Sequence, residues 1–540
     1  MRGVSSLTDA VTAEAVGALW LERVLEPISH AGRRAKEERR PFAPGQEREA
    51  RAAIADVLAT AERCSLEQAH ALRAVVRGLP EPSETLARVA AGGGLEDLDI
   101  HQLLSFLDGL HTLRERGAGR LPERLLPVPF EGLHASLARG RQRSGGFYLD
   151  GPFDAALVEA RAAERRAREA YECERARLRE AAQALLGDAA REEGEFAVLR
   201  GTFAGLPPEG VRVIREAATY RVFELANDAP ALAAFSLLEE TRGSVAAAEE
   251  RVRACITREV RVQADALLAE AQRVGEIDLH LAAVSFALAE RAVAPEIVEN
   301  AEVLMVEARL LPLERRLAEH GRRYVPISLH LDGQAVVTGP NMGGKSAALR
   351  TAGFVQLCAQ WGLPVPARAA RVGFVERICW LGVTAGAADR SGLLSSFGSE
   401  IVRLAQALDG IAGQRLLLID EFARTTSPNE GRALVVALLE SLRERGDLAL
   451  VTTHFAGVAE AAGVPHLAVV GLRRAFPVSG GARPALEEAL AVIGDAMDYR
   501  LTPAAQSEAS GGAAIALARL LGLDDGLTAR AERELRSARL

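Results

Sequence analysis

Lysine is almost missing from this chain. Of 65 basic side chains in 540 residues, only Lys36 and Lys345 are lysines. Aromatic residues supply just 4%. Cysteine is sparse too: Cys64, Cys173, Cys255, Cys358 and Cys379 are scattered without CxxC or CxxH spacing. That argues against a zinc site or a disulfide framework and fits a reducing, cytoplasmic compartment. No apolar run approaches the roughly 20 residues needed to span a bilayer, so no membrane partner is expected. The opening MRGVSSLTDAVTAEAV has no signal-peptide core. Positive charge is not in excess either. The net charge is -8, so no global basic field advertises nucleic acid.

What is present favours helix. Alanine, leucine, arginine and glutamate dominate, and the length allows two or three domains with a sizeable core. Residues 8–118 read as several helices with 3.6-residue apolar spacing, broken at GLPEPS and GGG. From Phe153 to Leu186 there is neither glycine nor proline, which predicts one helix of roughly 50 Å. A second long helix is expected from about Val245 to Arg273. Between them EFAVLRG, VRVIREA and TYRVFELA read as short strands. The pattern suggests two antiparallel arms carrying a small strand-containing cap. An ordinary helical domain with a hairpin insertion is the alternative. After RAVAPEI (291–297) the pattern changes. Short apolar strands (AVVTG, RLLLIDE, DLALVTTH, HLAVVGL) now alternate with helices, which implies a parallel sheet covered on both faces.

The stretch GPNMGGKS (339–346) holds the second lysine. It matches GxxxxGK[ST] through Gly339, Gly344, Lys345 and Ser346, and it lies between a strand and a helix, the context a phosphate loop requires. Glycines let backbone N–H groups turn inward around an anion, and the helix N-terminus adds positive potential. A lysine ammonium is compact enough to touch β- and γ-phosphate oxygens, whereas a guanidinium is wider and planar. Lysine at 345 in a chain that otherwise writes arginine is therefore explained by the site. Ser346 would supply a hydroxyl to Mg²⁺. RLLLIDEFA (415–423) ends a buried strand in two carboxylates. Asp420 would serve Mg²⁺, and Glu421 would orient and deprotonate an attacking water. DLALVTTH (447–454) ends at His454, placed to bond the γ-phosphate or that water.

Together these stretches resemble the MutS family of ATPases. TGPNMGGKS, with Pro340, Asn341, Met342 and Gly343, is similar to that family's phosphate loop. GLPVPA (362–367), GAAD (386–389), SSFGSE (395–400), LLIDEFARTTSPNEG (417–431) and TTHF (452–455) follow in the family's order. The resemblance implies an α/β C-terminal P-loop NTPase domain with a parallel sheet of the ABC-ATPase kind. It also implies a mainly α N-terminal lever domain with a small β-containing clamp. The expected partition is 1–150 for the helical core of the lever and 151–298 for long lever helices with a cap at about 187–242. Residues 299–540 would form the ATPase domain with C-terminal dimerisation helices. It further implies ATP and Mg²⁺ as cofactors and a homodimer with composite ATP sites. In that dimer Ser395 or Ser396 would reach the partner's γ-phosphate, and Thr425 to Glu430 would line the interface. The chain departs from the family at Ala423 and Thr425, where glycines are usual.

Mismatch-repair members carry a Phe-x-Glu wedge in an N-terminal domain, and no Phe-x-Glu precedes the ATPase region here. The chain is therefore expected to lack the part that reads mispairs, and no nuclease-like tail is recognised. Residues 187–242 hold six arginines (Arg191, Arg200, Arg212, Arg215, Arg221, Arg242) against ten carboxylates, a balance that argues against a phosphate grip. LPLE (311–314), VVGLR and MDYRL (497–501) further resemble the MutS-related ATPase subunit of lysine 5,6-aminomutase reactivases. The functional expectation is thus an ATP-driven dimeric switch acting as a chaperone-like reactivase on a protein client or partner subunit. The alternative is a DNA-binding ATPase of mismatch repair or recombination that recognises mispaired or branched DNA.

Overall fold

The computed structural model describes residues 7–143, 146–149, 153–187, 195–203, 205–207, 209–340, 344–382, 396–409, 413–472, 497–504 and 513–537. Two compact units emerge. One comprises Met1–Gly78, Leu113–Pro127 and Gln272–Leu540; the other comprises Leu79–Thr112 and Val128–Ala271. No helix among the described residues is long and apolar enough to cross a membrane.

The second unit is built on two long helices, Ala155–Leu186 and Ala229–Val262. Asp154 caps the first through its bond from the Ala156 N–H, and Gly187 at φ 79° ends it. Asp228 caps the other, with a proline in its first turn. That helix starts earlier than the 245–273 expected from sequence. Gly243 lies inside it with open space where a Cβ would be, a cost of about 1 kcal/mol that a long helix absorbs. It stops at Gln263, and a new helix runs over Ala264–Glu290. Arg161 pairs with Glu249 at 2.8 Å, and Arg177 pairs with Asp228. Partner numbers fall as the chain rises, so the two helices run antiparallel. Between them lie β1 (Glu195–Leu199), β2 (Val211–Glu216) and β3 (Tyr220–Leu225), an antiparallel sheet in the order β1-β3-β2. Phe196, Val198, Phe223 and Leu225 turn one face onto Ala182 and Leu186 of the first helix.

Among its described residues the first unit holds two sheets. β4 (Glu296–Val298), β5 (Val303–Ala308), β6 (Ile327–Leu331) and β8 (Ala369–Gly373) form the smaller one, in the order β4-β8-β5-β6. The larger comprises β7 (Gln334–Thr338), β9 (Arg377–Leu381), β10 (Arg415–Asp420), β11 (Leu448–Thr452), β12 (His466–Leu472) and β13 (Met497–Pro503), in the order β13-β12-β7-β11-β10-β9. All its pairings are parallel except β12 with β13. Leu416 to Ile419 are fully buried, as expected of a strand covered on both faces. Leu417 and Ile419 pack with Val435, Leu439 and Leu442 of the helix Pro428–Glu444. On the other face Gly353, in the helix Lys345–Gln360, comes so close that a Cβ there would sit 2.7 Å from Leu418 Cδ1. Residues at the chain's start join this unit: Thr12 Oγ1 accepts the N–H of Trp380 on edge strand β9 at 2.9 Å.

Candidate nucleotide site

Parallel strands put their C-terminal ends on one edge of the sheet, and β11 lies between β7 and β10. Thr338, Asp420 and Thr452 end these three strands. The loop after β7 runs into the N-terminus of the helix Lys345–Gln360. Gly339 has φ 146°, and a Cβ there would lie 2.9 Å from Val469 Cβ on β12. Gly344 has φ 88°, and its Cβ would lie 2.9 Å from the Tyr499 ring on β13. Both positions therefore require glycine for conformation and for space. Asn341, Met342 and Gly343 lie outside the described residues.

Lys345 Nζ donates to Gly339 O at 2.8 Å and lies 3.7 Å from Glu421 Oε1. Its side chain is only 5% exposed. Burial pulls the ammonium below its ordinary pKa, against the opposing fields of Glu421 and Asp420. Asp420 gathers two hydroxyls: Ser346 Oγ donates to Oδ2 at 2.7 Å and Thr452 Oγ1 donates to Oδ1 at 2.8 Å. Ser346 and Asp420 thus present hard oxygen donors side by side. No cluster of three His, Cys, Asp or Glu side chains suited to a metal occurs among the described residues.

Glu421 follows Asp420 at φ 57°, a left-handed conformation uncommon for a side chain of this size. Its N–H donates to Thr452 Oγ1 at 3.0 Å, which holds the turn. The turn carries its carboxylate to His454, whose Nε2 lies 2.5 Å from Oε1, while Arg424 Nη1 donates to Oε2 at 2.9 Å. Burial pushes the Glu421 carboxyl up, but the His454 bond, the His454 and Lys345 charges and the Arg424 bond outweigh it and hold it below its ordinary value.

This geometry agrees with what the sequence matches. Residues 335–533 fit the family model of MutS domain V. Over that stretch the chain is similar to MutS domain V. MutS domain V is a P-loop ATPase domain, and the mixed α/β architecture with parallel pairing accords with it. Similar curated proteins bear the name Endonuclease MutS2. One from Thermomicrobium roseum is 29% identical over 78% of this chain and 55% of its own length. One from Symbiobacterium thermophilum is 35% identical over 38% of this chain and 25% of its own. One from Streptococcus pneumoniae is 33% identical over 41% of this chain and 26% of its own. The chain thus spans between a quarter and just over half of these relatives' length.

Within residues 335–533 the structure brings Lys345, Ser346, Asp420, Glu421 and His454 to one sheet edge. Ser395 lies outside the described residues, as does GAAD (386–389), and Ser396 opens the helix Ser396–Leu408. Glu400 of that helix accepts the Ala423 N–H at 3.0 Å. Ala423 is buried at φ 61°, so it occupies the kind of position that favours glycine. Thr425 is not among the left-handed residues and needs no glycine.

Sequence reading missed Thr452 and Arg424. It also missed a cavity of about 520 Å³ beside Gly344, lined by Leu317, His320, Arg322, Tyr324, Met497 and Tyr499. Tyr324 reaches Thr351 Oγ1 in the phosphate-loop helix at 2.9 Å, and burial raises its phenol pKa. Scarcity was a usable signal, since the chain has only 5 tyrosines.

Proposed function

We propose that this chain is an ATP-binding and ATP-hydrolysing switch that works as a homodimer on DNA. The observation that carries the ATPase part is the meeting of Ser346, Asp420, Glu421 and His454 beside Lys345. The loop N–H groups and Lys345 hold the phosphates, Ser346 and Asp420 hold Mg²⁺, and Glu421 with His454 orients and deprotonates the attacking water. Mg²⁺, when bound, draws charge from the phosphate oxygens. The cavity between Tyr324 and Tyr499 opens next to Gly344 and takes the nucleoside. Ser395 or Ser396 completes the partner's site. Mixing a Lys345→Ala protein with a Ser395→Ala/Ser396→Ala protein tests that: activity reappears in heterodimers if the serines act across the interface. The paired long helices serve as lever and the β1–β3 cap as clamp.

The name of these three relatives, Endonuclease MutS2, supports DNA as the partner and does not point to an aminomutase client. One observation favours the protein-client reading. In the cap Arg200 pairs with Glu216, Arg212 with Glu224 and Arg221 with Glu216, so these arginines are already neutralised. A salt titration of binding to homoduplex, mismatched and four-way-junction DNA, with and without ATP, separates the two. Structure-selective, ATP-dependent binding supports DNA. Binding to none of them at physiological salt overturns that reading in favour of a protein client.

A further inference from the structure

The loop's entry is held by a side-chain chain that no motif contains. Thr338 is the last residue of β7 and immediately precedes Gly339. Its Oγ1 lies 2.8 Å from His466 Nε2, and His466 Nδ1 lies 3.3 Å from Glu460 Oε1. A carboxylate only accepts, so the Glu460 bond places a proton on Nδ1. In the neutral imidazole Nε2 then accepts, and the Thr338 hydroxyl donates. β12 pairs His466 with Val336 and Ala468 with Thr338, so the imidazole reaches diagonally, two residues along, to the mouth of the loop. The same strand packs Val469 against Gly339. The carbonyl that follows Thr338, that of Gly339, is the one Lys345 Nζ binds at 2.8 Å.

We infer that His466, oriented by Glu460, is a positioning residue for the phosphate loop and acts through Thr338. The inference rests on the reading of this loop as an ATP site. Threonine is stiff about χ1, so a bond at Oγ1 fixes its rotamer. That fixes the direction in which the chain leaves β7 and where the Gly339 carbonyl and the Lys345 ammonium come to rest. His466 bonds Thr338 and Glu460, whereas Glu421 and His454 bond each other. Loss of His466 should therefore weaken nucleotide binding and leave the water-activating pair, Glu421 and His454, intact.

The test is Mg-ATP titration and steady-state hydrolysis on the full chain, with melting followed in parallel. His466→Ala and Thr338→Val are each expected to raise the ATP dissociation constant and KM about three- to tenfold, the effect of one positioning hydrogen bond, with kcat changed less than twofold. The double variant should be no weaker than either single one. His466→Gln, which keeps a polar atom near the Nε2 position, should recover most of the loss. Unchanged ATP affinity in both single variants, with the wild type binding normally, overturns the inference alone. A fall in melting temperature from His466→Ala with no parallel loss in Thr338→Val makes the histidine merely structural and overturns it as well. Failure of the wild type to bind Mg-ATP overturns the nucleotide-site reading itself.

Discussion

Ser346 Oγ stands 2.7 Å from Asp420 Oδ2, although 74 residues separate them in the chain. Polar side chains at this end of the sheet bond one another. The hydroxyl and the carboxylate bond each other directly, and Lys345 rests on Gly339 O. Arg424 and His454 occupy the two oxygens of Glu421. These bonds hold Asp420 and Glu421 with both carboxylate oxygens of each partnered.

Lys345→Ala should weaken Mg-ATP binding at least about 100-fold, because it removes charge-assisted bonds to phosphate from the loop. Equilibrium titration with a fluorescent ATP analogue measures this. Binding at wild-type strength would refute the phosphate-loop assignment.

Glu421→Gln should keep ATP binding and lower turnover by about 10²–10⁴-fold if, as proposed, the carboxylate works on the water. Its pKa lies below the ordinary carboxylate value, so the group stays ionised around neutrality and contributes no titration between about pH 6 and 8. A rate profile across that range, together with ATP-dependent mass from light scattering, checks both points. Undiminished turnover would move the role of base to His454.

Ala423→Gly should stabilise the fold by up to about 1 kcal/mol. A left-handed alanine costs about 1–2 kcal/mol, and glycine's greater freedom in the unfolded chain takes back about 0.4–1 kcal/mol. Urea unfolding decides. A clear loss of stability would show that packing around the buried methyl group outweighs the strain at φ 61°.

His280 should make the fold sensitive to mild acid. It is buried against Thr60, with Nε2 2.8 Å from Oγ1, and burial, aided by Arg124, lowers its pKa from 6.5 to about 4. The unfolded chain therefore takes up the proton first. The stability is fully present above about pH 6.5 and is lost as pH falls toward about 4, by at most about 3 kcal/mol. His280→Gln should flatten that slope in urea midpoints measured between pH 7.5 and 5. An unchanged slope would assign the acid sensitivity to other groups.

Part of this protein was legible in its sequence. The proposed phosphate loop is contiguous, so Gly339, Gly344, Lys345 and Ser346 are picked out by their spacing alone. The apolar run Leu416–Ile419 ending in two carboxylates marked β10 and Asp420, because a strand covered on both faces reads as a near-continuous apolar run. The run without glycine or proline gave the helix Ala155–Leu186, since nothing in it interrupts the backbone ladder. The start of its partner at Ala229 is less marked, because the capping Asp228 lies close behind a strand and Gly243 interrupts the run.

The remaining features were decided by tertiary structure. Thr452 serves Asp420 only because β11 lies beside β10 in register. Tyr499 meets Gly344 because β13 pairs antiparallel with β12. His466 meets Thr338 only because β12 lies beside β7. Strand order is a long-range choice among many pairings, and no local window of sequence records it. The left-handed turns at Glu421 and Ala423 are likewise imposed from outside, since neither side chain prefers that conformation. The sequence determined which chemical groups are present and where strands end; the order of the strands in the sheet determined which of those groups meet.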